Sequence, residues 1–264
     1  MTDSESAALV RTLPLRDRFI ILSALATITL LCWVYLIDMA IDMDKMMAAG
    51  NMMTLQEWTI AYFSAMLLMW VIMMTGMMAP TAIPMALVYA AVVRKAETQG
   101  SILAPTSTFV TGYIVAWGFF SLAATLAQWG LDEAALLSPM MISNSPIFGS
   151  ALLIGAGLYQ LTPMKDACLR HCRAPAHFIS QSWRPGSWGA FRMGVEHGIY
   201  CIGCCWILMG LLFLGGVMSL LWIAGITLFV LLEKVVPLGK AGGMFAGVGM
   251  IIWGTIMLIL ALNA

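Results

Sequence analysis

Residues 194–206 read GVEHGIYCIGCCW, which places one imidazole, His197, ahead of three thiols, Cys201, Cys204 and Cys205. At about 100° per residue, Met193, His197, Cys201 and Cys204 share one helical face, with Cys205 at its margin and Glu196 turned away. The i, i+4 pairs His197 with Cys201 and Cys201 with Cys205 can each contribute two ligands to one metal ion. His197 and Cys204 lie about 10 Å apart along the axis and cannot share one. A single helix therefore supplies two ligands per ion, and a second helix must supply the rest.

Three other stretches carry matching chemistry. In AMLLMWVIMMTGMMAP, Met66, Met69, Met73 and Met77 form one stripe and Met74 with Met78 a second. Antiparallel to the cysteine helix, this stripe would bring Met66 to Met77 to depths comparable with His197 and the thiols, with Met73 and Met77 as candidate ligands. Thioether, thiolate and imidazole together are a soft set that selects Cu(I), or another soft transition metal, over hard ions. The competing reading is packing, since methionine is a good core filler. The segment DMAIDMDKMMAAGNMM holds Met39, Met43, Met46, Met47, Met52 and Met53 among Asp38, Asp42 and Asp44, either a capture site for Cu(I) or an interfacial helix face. The segment KDACLRHCRAPAH offers Cys168, His171, Cys172 and His177, and its i, i+4 cysteines could hold a soft metal on a helix. Cys32 stands alone and reads as a small buried apolar residue.

The elements that must position these groups are membrane-spanning helices. Of the 264 residues, 61% are hydrophobic and 10% charged, and the mean hydropathy is +0.92, outside the range of soluble domains. Long continuous apolar runs predict an all-α membrane protein, a polytopic bundle of about seven transmembrane helices near 19–41, 58–80, 105–129, 147–163, 193–214, 217–233 and 241–262. The second is expected to continue as a kinked helix past Pro80 and Pro84 to Val93, the alternative being a short re-entrant segment. Residues 1–18 form a cytoplasmic N-terminal segment and 19–264 one transmembrane domain. Twelve Lys and Arg fall on one side of these spans and only Lys45 on the other, which predicts a cytoplasmic N-terminus and an extracytoplasmic C-terminus. No secretory signal is apparent, and the first run is expected to stay as an anchor. Cys168 and Cys172 then lie in a reducing cytoplasmic loop, where metal binding or thiol chemistry is favoured over a disulfide. Cys201 to Cys205 lie about 12–18 Å deep, where ionisable groups are costly and point to function. Glu233 and Lys234 form an interfacial pair, or Glu233 completes a cation path, and Gly242, Gly243, Gly247, Gly249 and Gly254 allow close helix approach.

The motifs GVEHGIYCIGCCWILM, YQLTPMKDACLRHCRAP, WVIMMTGMMAPTAIP and LLEKVVPLGK resemble those of the bacterial family of predicted metal-binding integral membrane proteins, a family whose domain has no assigned function. The match runs from the second span to the seventh and is weak over residues 1–50. It implies a multi-pass membrane protein with a metal site at His197, Cys201, Cys204 and Cys205. No Walker loop, dinucleotide fingerprint, haem-attachment motif or HExxH is present, which argues against ATP-driven transport and the common metalloenzymes. The function expected is Cu(I) binding for transfer or delivery at the bacterial inner membrane, without catalysis. The expected partners are lipid, the metal ion, and a metallochaperone or membrane-complex protein; nucleic acid is not among them. The alternatives are a membrane thiol oxidoreductase using Cys201, Cys204 and Cys205, and a structural subunit of a membrane complex.

Overall fold

The computed structural model describes residues 3–48, 57–100, 103–138, 141–236 and 239–263, and within them every regular element is a helix. In chain order these are α1 (Asp3–Thr12), α2 (Leu15–Ala48), α3 (Ile60–Thr98), α4 (Thr106–Glu133), α5 (Pro146–Gln160), α6 (Pro163–Arg173), α7 (Pro175–Ser182), α8 (Gly186–Gly210), α9 (Leu212–Gly215), α10 (Leu220–Val235) and α11 (Gly239–Leu262). Five helical stretches are long and apolar enough to cross a membrane: Leu15–Met43, Ile60–Thr98, Thr106–Glu133, Gly186–Gly215 and Gly242–Leu262. The expected count of seven is not reached by length. The fourth and sixth runs form helices of only 15 and 16 residues, α5 and α10, or about 22–24 Å at the α-helical rise, short of about 30 Å of hydrocarbon. Counting the bent pair α5–α6 as one broken span gives six.

The bend has a local cause. Thr162 accepts a hydrogen bond from the Lys165 amide and Pro163 follows at the first helical position, so α6 starts afresh at 65° to α5. Ser145 and Pro146 open α5 in the same way. The residues expected to form a loop after the fourth span are thus an amphipathic helix packed along α8. By contrast α3 runs unbroken through Pro80 and Pro84 to Thr98, so the re-entrant alternative is not what forms. Just before Pro80, the Met78 carbonyl accepts hydrogen bonds from Thr81 Oγ1 (2.8 Å) and Tyr113 OH (3.1 Å).

Glycines set the two tightest helix pairs. A Cβ on Gly194 would overlap the Phe109 carbonyl oxygen, one on Gly112 the Phe191 carbonyl oxygen, and one on Gly198 would crowd Ala116 and Tyr113. From Phe109 opposite Gly194 to Ala116 opposite Gly198 the matches advance together along both helices, so α4 and α8 are parallel, with Ala190, Gly194 and Gly198 as a small-residue seam. Gly157, Gly247 and Gly254 do the same for the antiparallel pair α5 and α11. The expected close approach of the last helix is met at Gly247 and Gly254, whereas Gly249 faces open space.

One buried ion pair joins three helices. Lys165 Nζ of α6 lies 2.6 and 2.7 Å from the two carboxylate oxygens of Glu233 of α10, and both side chains are under 10% exposed. Gln160 Nε2 of α5 adds a bond of 3.3 Å to the same carboxylate, and Arg173 donates two bonds to the Glu233 carbonyl. Glu233→Ala would strand the Lys165 charge, and removing one member of a buried pair costs about 3–5 kcal/mol. A marked fall in the thermal unfolding temperature of detergent-solubilised protein is expected; an unchanged value would show that Lys165 finds water or another acceptor.

Candidate metal centre

The parallel packing of α8 on α4 fixes where the thiols go. Gly194 and Gly198 occupy the contact, and one turn later Cys201, Cys204 and Cys205 enter the space between α3, α6 and α10, each 1–2% exposed. Cys201 Sγ lies 3.0 Å from Tyr113 OH, 2.8 Å from Lys234 Nζ and 4.0 Å from Thr81 Oγ1. Lys234 Nζ also reaches Thr81 Oγ1 at 3.3 Å. The Cys204 and Cys205 thiols both donate to the Cys201 carbonyl at 3.0 Å. From α6, the Cys172 side chain lies against those of Cys201 and Cys204, as does that of Cys205. Cys168 sits one turn back at Gly203, whose Cβ would meet its sulfur at 2.8 Å. His171 stacks on Tyr200 with centroids 4.0 Å apart, completing an antiparallel match of α6 to α8.

The cysteines expected in a separate loop therefore join the central thiols, and Cys172, Cys201, Cys204 and Cys205 form one cluster. All six cysteines are free. Among the described residues no three His, Cys, Asp or Glu side chains converge on one point as a ready metal-binding group. The hydrogen bonds explain why. Two thiols are turned back onto the helix carbonyl, so they converge on an ion only after χ1 rotation, a change between staggered wells. Among the thiols, the donor chemistry fits a soft ion and the side chains lie side by side, while the rotamers are those of thiols bonded to the backbone.

His197 stands apart from that cluster. Its ring stacks on Tyr113 and Phe109, with centroids 5.5 and 6.0 Å away, and meets Phe178 at 5.5 Å. Its Nδ1 is buried and has no hydrogen-bond partner. Buried polar atoms are seldom left so, and this nitrogen is an available ligand atom one turn before Cys201.

The methionine stripe is buried throughout, Met69, Met73, Met74, Met77 and Met78 each at 0% exposure in the same core cluster as the three thiols of α8. Thr81 opposite Cys201 sets the register of the antiparallel α3 and α8. At the α-helical rise, Met77 and Met78 fall level with Cys205 and Cys204, and Met73 lies one turn further along, level with Met209. His197 is level with Met85, so the expectation that the stripe flanks the histidine fails, while Met77 reaches the thiols' depth. Met66 belongs to a different environment, with its sulfur 3.7 Å from Gln128 Nε2. Of the acidic methionine segment, Met43 is buried in the main core, which is a packing role; Met52 and Met53 lie outside the described residues, as do the side chains of Met46 and Met47. His177 is exposed. Cys32 lies where a Cβ on Gly76 would meet it at 2.8 Å, a contact between α2 and α3.

The sequence reading missed Tyr113, Thr81 and Lys234. Lys234 does not pair with Glu233, which is engaged by Lys165. The signal was present, because adjacent helical residues point about 100° apart and do not face each other. The charged pair therefore had to have two separate partners.

The fold and site define an all-helical protein with five or six apolar helices of membrane-spanning length around a buried thiol cluster. A family described as PpoB2, copper chaperone, matches residues 67–257, and the chain belongs to this family. The matched region contains every residue of the thiol cluster together with Tyr113 and Lys234. No curated protein matches the chain, and no solved structure does.

Proposed function

We propose that the protein spans the bacterial inner membrane and binds Cu(I) as cargo at Cys201, Cys204, Cys205 and Cys172, for transfer between the membrane faces or to a partner protein. The observation that carries this reading is the meeting of the three buried thiols of α8 with the half-buried Cys172 of α6 in one cluster, within a chain of a copper chaperone family. Thiolate sulfur favours Cu(I), and Met77 and His197 are the nearest soft reserves along the helices. Burial keeps water and oxidants from the ion. The side chains of α6 would be the exit or entry edge, since Cys168 and His171 continue from the cluster along the half-buried face of that helix.

The test is metal analysis of monodisperse protein purified under reducing conditions from copper-replete cells, combined with X-ray absorption at the copper edge. About one Cu(I) per chain with two or three sulfur scatterers is expected. Absence of copper, with a trapped mixed disulfide on Cys201 or Cys204, would point instead to thiol redox chemistry. Cys172→Ser separates the joint site from one confined to α8. Loss of one thiolate is expected to weaken Cu(I) binding about tenfold or more in competition with a colorimetric chelator, and an unchanged affinity would remove α6 from the ligand set.

Orientation follows the charge distribution: the N-terminus and the turn between α6 and α8 are cytoplasmic, and the C-terminus lies outside provided that α10, although only 16 residues long, crosses as a seventh span. Reporter fusions near Pro175 and after Ala264 are therefore expected on opposite sides. Finding both on one side would mean that only one of α10 and α11 crosses, as the six-span count has it, and the outside C-terminus would be dropped.

A further inference from the structure

Among the described residues Lys234 is the one lysine or arginine in contact with the thiol cluster, and nothing in copper binding by sulfur requires it. It projects from the end of α10, whose preceding residues are almost all apolar, to within 2.8 Å of Cys201 Sγ and 3.3 Å of Thr81 Oγ1. The carboxylate next to it in sequence is committed elsewhere, because Glu233 is held by Lys165 and Gln160. Arg173 grips the Glu233 carbonyl, so the backbone that carries Lys234 is fixed. Lys234 itself forms no ion pair with a carboxylate among the described residues. Its charge is therefore faced by sulfur.

We infer that Lys234 determines which ions the thiol cluster accepts, acting as a fixed positive charge beside Cys201 that favours a monovalent over a divalent ion. This rests on the copper reading above. An ion held by Cys201 sits within a few ångströms of the ammonium, and its repulsion there scales with its own charge, so a divalent ion is opposed twice as strongly as Cu(I). The low dielectric of the core enlarges that difference. A net-neutral set is also reached sooner by the monovalent ion, since two thiolates, one ammonium and one Cu(I) balance without further deprotonation. Sulfur ligands alone do not give this discrimination, because thiolates bind Zn(II) well. Lys234 is thus a specificity-determining residue that acts through Cys201 without ligating the ion.

The test compares Cu(I) and Zn(II) affinities of the full-length, folded protein in detergent, each ion supplied from a chelator buffer, for wild type, Lys234→Leu and Lys234→Arg. Leucine removes the charge without bringing a soft ligand atom, and arginine keeps the charge. The ratio of Cu(I) to Zn(II) affinity is expected to fall about tenfold or more in Lys234→Leu, with Zn(II) binding strengthened, and to stay near wild type in Lys234→Arg. A role of Lys234 in packing alone would weaken both ions together and leave the ratio unchanged, which overturns the inference. If Lys234→Leu does not fold, Lys234→Gln provides the same neutral comparison. Wild-type protein that binds neither ion overturns the copper reading and this inference with it, whereas copper binding with an unaltered ratio in the neutral variants overturns the inference alone.

Discussion

Cys201→Ser is expected to lower Cu(I) affinity by about two orders of magnitude, the largest effect of any single thiol. Cys201 is where the site's elements meet: its sulfur is approached by Tyr113 from α4, Lys234 from α10 and Thr81 from α3. Its carbonyl receives the Cys204 and Cys205 thiols. Serine substitutes a hard oxygen for a soft sulfur at nearly the same volume, so the bundle is retained while the ligand is lost. His197→Ala is expected to weaken binding by a smaller factor, about tenfold, if the unpartnered Nδ1 completes the coordination. Cys32→Ser should leave affinity unchanged, because its contacts are with Gly76. The measurement is chelator competition on folded, monodisperse protein. Wild-type affinity in Cys201→Ser would require the thiols to be explained by redox chemistry or by packing.

Gly194→Val should abolish the folded protein. A Cβ at this position already falls on the Phe109 carbonyl oxygen, and the Tyr113 amide is 3.1 Å from the same point. Neither is the end of a flexible side chain, so α4 and α8 must separate along their whole seam. That separation unstacks His197 from Tyr113 and withdraws Tyr113 from Cys201. Gly118→Ala on α4 is the matched control, since nothing lies within 4 Å of its Cβ position. Size-exclusion profiles of the two variants in detergent are expected to differ sharply, with monodisperse protein lost only for Gly194→Val. A monodisperse Gly194→Val peak with wild-type metal content would mean that this seam does not organise the site.

The helical class, the continuity of α3 through its prolines and the face shared by Cys201 and Cys204 were legible because each depends on local chemistry and a fixed angular period. The central thiols were found for the same reason. The place of α6 was not legible. Its charges mark it as an aqueous loop, yet Thr162 and Pro163 start a helix whose apolar and thiol face packs on α8, a tertiary choice that no local pattern states. Lys234 was misread because charge at the end of an apolar run was assigned to the interface, although long amphipathic side chains reach several ångströms from their backbone. The run expected at 217–233 does form a helix, Leu220–Val235, at nearly the expected length, and the error lay in counting 16 residues as a full span of about 30 Å of hydrocarbon.

Glu233 holds α5, α6 and α10 through a single residue, its carboxylate engaged by Lys165 and Gln160 and its carbonyl by Arg173. In kinematic terms this is a pinned three-bar joint. Cys172 rides on one bar and Lys234 on another, and both converge on the same sulfur atom. The thiol arm and the cationic arm consequently share one degree of freedom: while the pin holds, α6 cannot retreat from Cys201 without carrying the lysine with it.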